Sequence, residues 1–305
     1  MTDTGQPIRS YSAETASHGF LSNVPHVVGY PALIWRHRYF LQNFFRRELL
    51  GRFRGSALGV LWVLIQPIFQ FTVYYLVFGY LFGHVRTGTA PSADFALYLF
   101  TGMIAFNALN EGCMRSCFCI LENSNLVKKV AFPSELLPLP SIFVSLVVYA
   151  VGALVAVAIG FGKGVLHPDW TLLLLPVVLA VQLVFSAGIG LLLANLNVFA
   201  RDVGQLWGII GMAWMFLTPI FWFPHQVEAN LGPFLQTILR WNPAYPIVQS
   251  HRIVLGMRDR DIDGVAIRFG DLGHHLLVAS VWAAVMICVG YGLFRSRKHH
   301  FADLV

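Results

Sequence analysis

Six apolar runs, each near bilayer length, govern what this 305-residue chain can fold into: 57–82, 95–121, 139–161, 172–194, 206–223 and 276–294. About twenty consecutive apolar residues cross the hydrocarbon core as a helix. In lipid every backbone N–H and C=O must be satisfied within the protein, and a helix does this along its own length. Only 12% of the residues are charged and 56% are hydrophobic, too few charges to solvate a soluble domain of this size. The expectation is an all-α membrane protein with six transmembrane helices, the fifth short and the first long enough to tilt.

The net charge of +6 then falls on a small exposed surface. That points to anionic lipid and orientation signals, and no basic-aromatic motif for nucleic acid accompanies it. Arg36, Arg38, Arg46, Arg47, Arg52, Arg54, Lys128, Lys129, Arg201, Arg295, Arg297 and Lys298 collect on one side of the spans. The opposite side has Arg86 and Lys163 in short loops. Its long segment, 224–273, offsets Arg240, Arg252, Arg258, Arg260 and Arg268 with Glu228, Asp259, Asp261, Asp263 and Asp271. The positive-inside rule makes the first side cytoplasmic, so both termini are expected there in an inner-membrane protein. Residues 1–32 are polar, lack the pattern of a cleaved signal, and read as a flexible cytoplasmic tail; residues 301–305 form the cytoplasmic C-terminus. Cys113, Cys117, Cys119 and Cys288 all lie in apolar runs and read as small fillers, with no disulfide or metal spacing to recommend them.

Three segments do not span. In 33–50, Phe40, Leu41, Phe44, Phe45 and Leu49 recur at helical spacing with Arg38, Gln42, Arg46 and Arg47 between them. This predicts an amphipathic helix on the inner membrane surface. In 224–256, a stripe at Phe234, Leu235, Ile238 and Leu239 ends in Trp241-Asn242-Pro243, and a second stretch from Pro246 to Leu255 ends at Gly256. Two short re-entrant helices entering from outside fit this, with protein or a cavity around their ends. No internal repeat stands out, against the repeat-built secondary transporters. Residues 122–135, within ENSNLVKKVAFPSELLP, open with the cap-forming Asn123, Ser124 and Asn125, continue through Leu126 to Lys128 and Lys129, and stop at Phe132-Pro133 before Glu135. A short helix presenting cations and an aromatic suits docking to a soluble partner; a positive-inside turn with no partner fits equally.

Within and beside the spans, three clusters could carry function. Arg46, Arg47, Arg52 and Arg54 sit where the surface helix turns into the first span. Guanidinium forks there match phosphate oxygens, but from the residues alone an anchor to anionic lipid is the favoured reading. Aromatics crowd the first and fifth spans: Trp62, Phe69, Tyr74, Tyr75 and Phe78, then Phe216 and Trp222. Core packing and an interfacial belt explain most of them, while Tyr74, Tyr75 and Trp222 are the best candidates to meet a sugar. In the second span Asn107, Asn110, Glu111 and Arg115 are polar, with Glu111 and Arg115 at pairing distance along one helix face. No phosphate-binding loop is present, since Gly162-Lys163-Gly164 lacks the upstream glycine. No catalytic constellation or metal set stands out either.

Together these segments resemble the transmembrane permease of ABC-2 type polysaccharide exporters, which carry O-antigen, capsule, teichoic acid or galactan. The similarity covers about 33–300. Its motifs are RFRGSALGVLW at 52–62 followed by Pro67, the 123–138 knob, NVFARD at 197–202 and WNPAYPI at 241–247. Glu48 and Phe53 stand where Asp and Tyr are more usual. The resemblance implies a homodimer that binds two copies of a separate ABC ATPase, which alone holds ATP and Mg; this chain has no cofactor or catalytic site of its own. It implies a coupling helix at 122–135 (Asn123, Asn125, Leu126, Lys128, Lys129, Phe132, Pro133, Glu135). Arg46, Arg47, Arg52 and Arg54 become the entrance for a lipid-pyrophosphate. Trp62, Phe69, Tyr74, Tyr75, Phe78, Asn107, Phe216 and Trp222 line a glycan channel between protomers. The expected function is export of undecaprenyl-linked polysaccharide across the inner membrane. An ABC-2 exporter of a small amphipathic drug or lipid is the alternative, and an ATP-independent flippase or glycan-modifying enzyme lies further off.

Overall fold

The computed structural model describes residues 23–52, 55–81, 92–129, 133–167, 169–224, 233–262 and 265–304. A 3-10 turn (Val24–Gly29) leads into helices α1 (Tyr30–Arg36) and α2 (Arg38–Gly51), separated at His37. The first span is a composite: a 3-10 turn (Gly59–Leu61), α3 (Trp62–Tyr74) with Pro67 inside it, and a π-helical end (Tyr75–Leu81). Proline removes one backbone donor and crowds the preceding turn, so a uniform helix from 57 to 82 is not what forms. Next come α4 (Ala93–Glu122), the short α5 (Ser124–Lys129), a 3-10 turn (Ser134–Leu136) and α6 (Pro138–Gly162). Then follow α7 (Leu175–Phe199), α8 (Val203–Leu217), α9 (Pro233–Trp241), α10 (Ala244–Val254), α11 (Leu272–Arg297) and α12 (Phe301–Leu304).

Among the described residues four helical stretches are long and apolar enough to cross a bilayer: Gly59–Leu81, Ser134–Gly162, Trp170–Phe199 and Leu272–His300. The two others expected to span differ for visible reasons. α4 is long, but Asn107, Asn110, Glu111 and Arg115 interrupt its apolar character. α8 stops at Leu217 because Thr218 turns extended and its hydroxyl bonds back to Trp214 O at 2.8 Å. Its fifteen residues rise about 22 Å, short of the roughly 30 Å hydrocarbon core. One short ribbon accompanies the helices. An antiparallel pair, β1 (Arg260–Ile262) and β2 (Val265–Ile267), follows Gly256, with Arg260 opposite Ile267. β-branched residues in two short runs outside the spans favour such a ribbon over a further helix.

α4 lies at the centre, packed along α6 and α7, and α7 runs closely along α11. The α7–α11 crossing is set by Gly188 and Gly290: a Cβ on Gly290 would strike the Gly188 carbonyl, and one on Gly188 the backbone of Met286 and Ile287. Small residues let backbones touch, and in lipid that close packing does the work hydrophobicity does in water. Polar caps set the span ends. The Ser92 hydroxyl accepts from Phe95 N–H (3.2 Å), Asp169 from Thr171 N–H (2.7 Å) and Asp271 from His274 N–H (2.8 Å).

α10 departs most from an ordinary outer segment. Ten of its eleven residues are buried, wedged against α11, α4 and α7. Arg252, counted from sequence among the outer charges, is 0% exposed. Its guanidinium lies 3.6 Å over the Tyr98 ring and donates to Pro219 O (2.8 Å), Gln249 Oε1 (3.0 Å) and Tyr98 O (3.1 Å). Gly102 leaves the space for it, since a Cβ there would meet the guanidinium. A buried cation is tolerable only when so surrounded by acceptors. His251 contacts Gln182 Oε1 at 2.5 Å and packs on Tyr149.

Candidate functional site

The charged knob and the arginine-rich turn, separate in sequence, meet in space. α2 lies against α6, which carries Arg47 to the start of α5. Its guanidinium packs 3.8 Å from the Phe44 ring and donates to Asn123 Oδ1 at 2.7 Å. Asn123 also donates to Cys119 O (2.8 Å), and its carbonyl accepts the N–H groups of Leu126 and Val127. The α4–α5 junction is thereby fixed to the surface helix. Asn125 and Lys128 are exposed and Leu126 half-buried. The side chain of Lys129 and all of Phe132 lie outside the described residues, as does Arg54.

Glu135 has a different position from its neighbours on the knob. It is 4% exposed, its carboxylate 3.3 Å from Lys298 Nζ, and its carbonyl accepts from the Tyr30 hydroxyl at 2.8 Å. Tyr30 in turn packs on Tyr291 (ring centroids 5.1 Å). Phe301 of α12 is buried against Phe294, and α12 touches α5. So Pro133 and Glu135 form the base of the knob, where α1, the end of α11 and α12 converge, while Asn125 and Lys128 form its outward face.

Of the arginine cluster, Arg46 is exposed and Arg52 is ion-paired with Glu111. Arg115 reaches both Glu111 (3.4 Å) and Glu48 (3.6 Å), and Glu48 accepts from Ser141 Oγ at 3.4 Å. The sequence pairing of Glu111 with Arg115 is thus one link in a lattice that ties α2 and the following turn to α4. Burial, then repulsion from Arg115, lowers the Arg52 pKa to about 10, with Glu48 opposing, so it remains a cation. These charges border a cavity of about 500 Å³ between α3, α4 and α6, whose wall includes Gln66, Gln70, Asn107 and Tyr149. Asn107 donates across it to Gln70 Oε1 at 2.8 Å. The Tyr149 hydroxyl and Asn110 Oδ1 are buried with no protein partner among the described residues.

The aromatic candidates divide into two groups. Tyr74 and Phe78 pack edge-on and stacked against Phe221 (4.9 and 4.5 Å), Phe78 approaches Phe216 (6.3 Å), and Trp222 donates to Phe216 O (2.9 Å). These four therefore form one box between the end of the first span and the loop after α8. Tyr75 stacks on Phe71 (5.6 Å), Trp62 bonds Ser56 Oγ (2.8 Å), and Phe69 is 70% exposed. No residue of α3 is buried. The sequence reading missed Phe221 as the hub, Gln66 and Gln70 as parts of the polar cavity, and Glu48 as the partner of Arg115. Gln66 and Gln70, four apart in an apolar run and flanking Pro67, were the available signal.

The profile of a family described as ABC-2 type transporter matches residues 39–255. The chain is 25% identical over 272 residues to the O-antigen export system permease protein RfbA of Myxococcus xanthus, covering 89% of this chain and 97% of that one. It is 23% identical over 261 residues to the protein of the same name from Klebsiella pneumoniae (85% and 92% covered). To the polysialic acid transport protein KpsM of Escherichia coli it is 22% identical over 259 residues (85% and 93%).

Proposed function

Because this chain belongs to the ABC-2 type transporter family, we propose that it is the permease of an exporter that moves a polysaccharide out through the inner membrane. The geometric observation that carries the reading is the polar cavity beside α3, a span with no buried residue. A hydrophilic polymer needs a wet, polar wall inside the membrane, and polar residues at such depth belong next to water or protein. The unburied, aromatic α3 is then the face that a second copy covers, with the glycan passing between protomers. In this reading α4 and α8 also cross, for six spans per protomer, with both termini cytoplasmic.

The cargo in this reading is a polyprenyl-pyrophosphate-linked glycan. Arg46, on the exposed side of α2, receives the phosphates first, and Arg52 follows by exchanging Glu111 for the stronger anion. The aromatic box of Tyr74, Phe78, Phe216 and Trp222 offers stacking faces to sugar rings without reading their order. Energy comes from two copies of a separate ATPase subunit, which hold ATP and Mg and dock on Asn125, Lys128 and the rest of α5. Arg47 on Asn123 passes the motion of α5 directly to the entrance helix.

Depletion of the chain followed by mass spectrometry of membrane lipid-linked glycans tests this. Accumulation of one polyprenyl-pyrophosphate polymer supports it and names the cargo. Intact surface polysaccharide with no accumulation overturns it in favour of a small amphipathic cargo. Failure of the purified chain to retain any ATPase, or retention that survives Lys128→Glu, removes the docking assignment.

A further inference from the structure

A second cavity, also about 500 Å³, lies between α1–α2 and the bodies of α6 and α7. Its chemistry is opposite to that of the polar one. Ile34, Leu41, Phe45, Phe143, Leu146 and Ala150 make most of the wall. Phe143 to Ala150 lie along one side of α6 and span about 10 Å of rise. The cleft thus runs up the helix, away from the amphipathic α2 and toward the middle of the protein.

Arg38 also lines this groove, but its charge does not point into it. The guanidinium is exposed, 5.1 Å over the Trp35 ring and 4.5 Å over the Tyr39 ring, and it donates to Trp35 O (3.1 Å) and Tyr39 OH (3.3 Å). The stem covers apolar surface while the head reaches the interface. Two of its five N–H donors are spent on orientation, which leaves the fork aimed and still able to donate. Trp35 and Tyr39 are themselves exposed, as residues at the headgroup level of a bilayer are. Arg36, Arg46 and Arg47 share the same pair of helices, against one acid, Glu48.

We propose that this groove is a binding site for one acyl chain of an anionic phospholipid, with its phosphate held by Arg38. An apolar slot that starts at a surface helix, rises along a span and has an oriented cation at its mouth is complementary to that molecule. The volume suits a single chain, and a long polyprenyl tail would overfill it. A lipid seated here packs α2 against α6, and so holds the helix that also bears Glu48 and Arg47. The site is independent of what the protein carries.

The full-length protein, stripped of lipid in mild detergent, is titrated with phosphatidylglycerol or phosphatidylethanolamine and read by native mass spectrometry. The expected result is one tightly held phosphatidylglycerol per protomer, preferred about fivefold over phosphatidylethanolamine, the worth of one arginine at a lipid surface. Ala150→Trp fills the groove and abolishes the tight adduct. Arg38→Gln, a change confined to an exposed head, keeps a lipid but loses the preference, and so decides the matter even if Ala150→Trp fails to fold. Equal adducts in wild type and Ala150→Trp would overturn the site, and an unchanged preference in Arg38→Gln would overturn the headgroup assignment. Displacement of phosphatidylglycerol by a polyprenyl phosphate at equal concentration would overturn the choice of occupant.

Discussion

α10 and α3 are both apolar helices bordering the same central helix, α4, yet one is almost wholly buried and the other has no buried residue. α10 is held by specific polar bonds: Arg252 to three acceptors, and His251 to Gln182. α3 is held to α4 by Asn107–Gln70, rings such as Phe71 on Phe100, and, just before it, Arg52–Glu111. The difference separates a wedge held by buried bonds from a span held by exposed or part-buried contacts. Buried polar groups held by several bonds keep an element in one place, whereas exposed contacts can be remade at little cost.

Changes to the fixed region should be the most damaging. Gly290→Leu, which drives a side chain into the Gly188 carbonyl, should cost more than about 3 kcal/mol and abolish folded protein in size-exclusion profiles. Arg252→Met follows, at about 3 kcal/mol, because the carbonyls of Tyr98 and Pro219 lose a charged donor. Thermal melting in detergent reads it, and a variant as stable as wild type would break the comparison.

Lys298→Ala should cost under about 1 kcal/mol in stability, since the lysine is more than a third exposed. Within the proposed function it should lower transport-coupled ATPase about threefold by loosening the base of the knob. The charge swap Lys298→Glu with Glu135→Lys should restore part of that loss. Smallest of all, Phe69→Ala should leave monomer melting within about 0.5 kcal/mol of wild type; cross-linking between copies is what it should weaken.

A pH profile tests the outer edge of the wedge. Asp169 accepts from Thr171 N–H and pairs with Arg258 at 2.6 Å, and these bonds, the backbone one first, hold its carboxyl below its ordinary value. A lowered folded pKa means that the contribution is present above the ordinary value, about 3.9. It is lost as pH falls through the folded value. Melting of wild type should therefore fall more steeply than that of Asp169→Asn below about pH 4; equal slopes would remove Asp169 from the account.

The same contrast marks what could be read from the sequence. Hydropathy located the long helices to within a few residues, since lipid enforces helix wherever an apolar run is long enough. Periodicity found α2, and the Asn-rich start found α5. Arg252 escaped because one arginine in an eleven-residue helix looks like any loop charge until the acceptors from Tyr98 and Pro219 are seen around it. Glu135 sits one turn beyond a docking motif and was grouped with it, though Lys298, far along the chain, draws it inward. The short hairpin had a sequence signal of its own in Asp263-Gly264, a pair suited to tight turns.

The glycine contact between α7 and α11 has a mechanical consequence. At that crossing backbone meets backbone with no side chain between them to shear, so α7 and α11 are expected to move together. α11 is 26 residues long, about 39 Å end to end. Its C-terminal end meets the base of the knob, and its N-terminal end is capped by Asp271. Within the proposed function a push on α5 is then carried along α11 toward its other end. Spin labels on α7 and α11 should keep one separation throughout a cycle of ATP turnover, while labels on α3 should not.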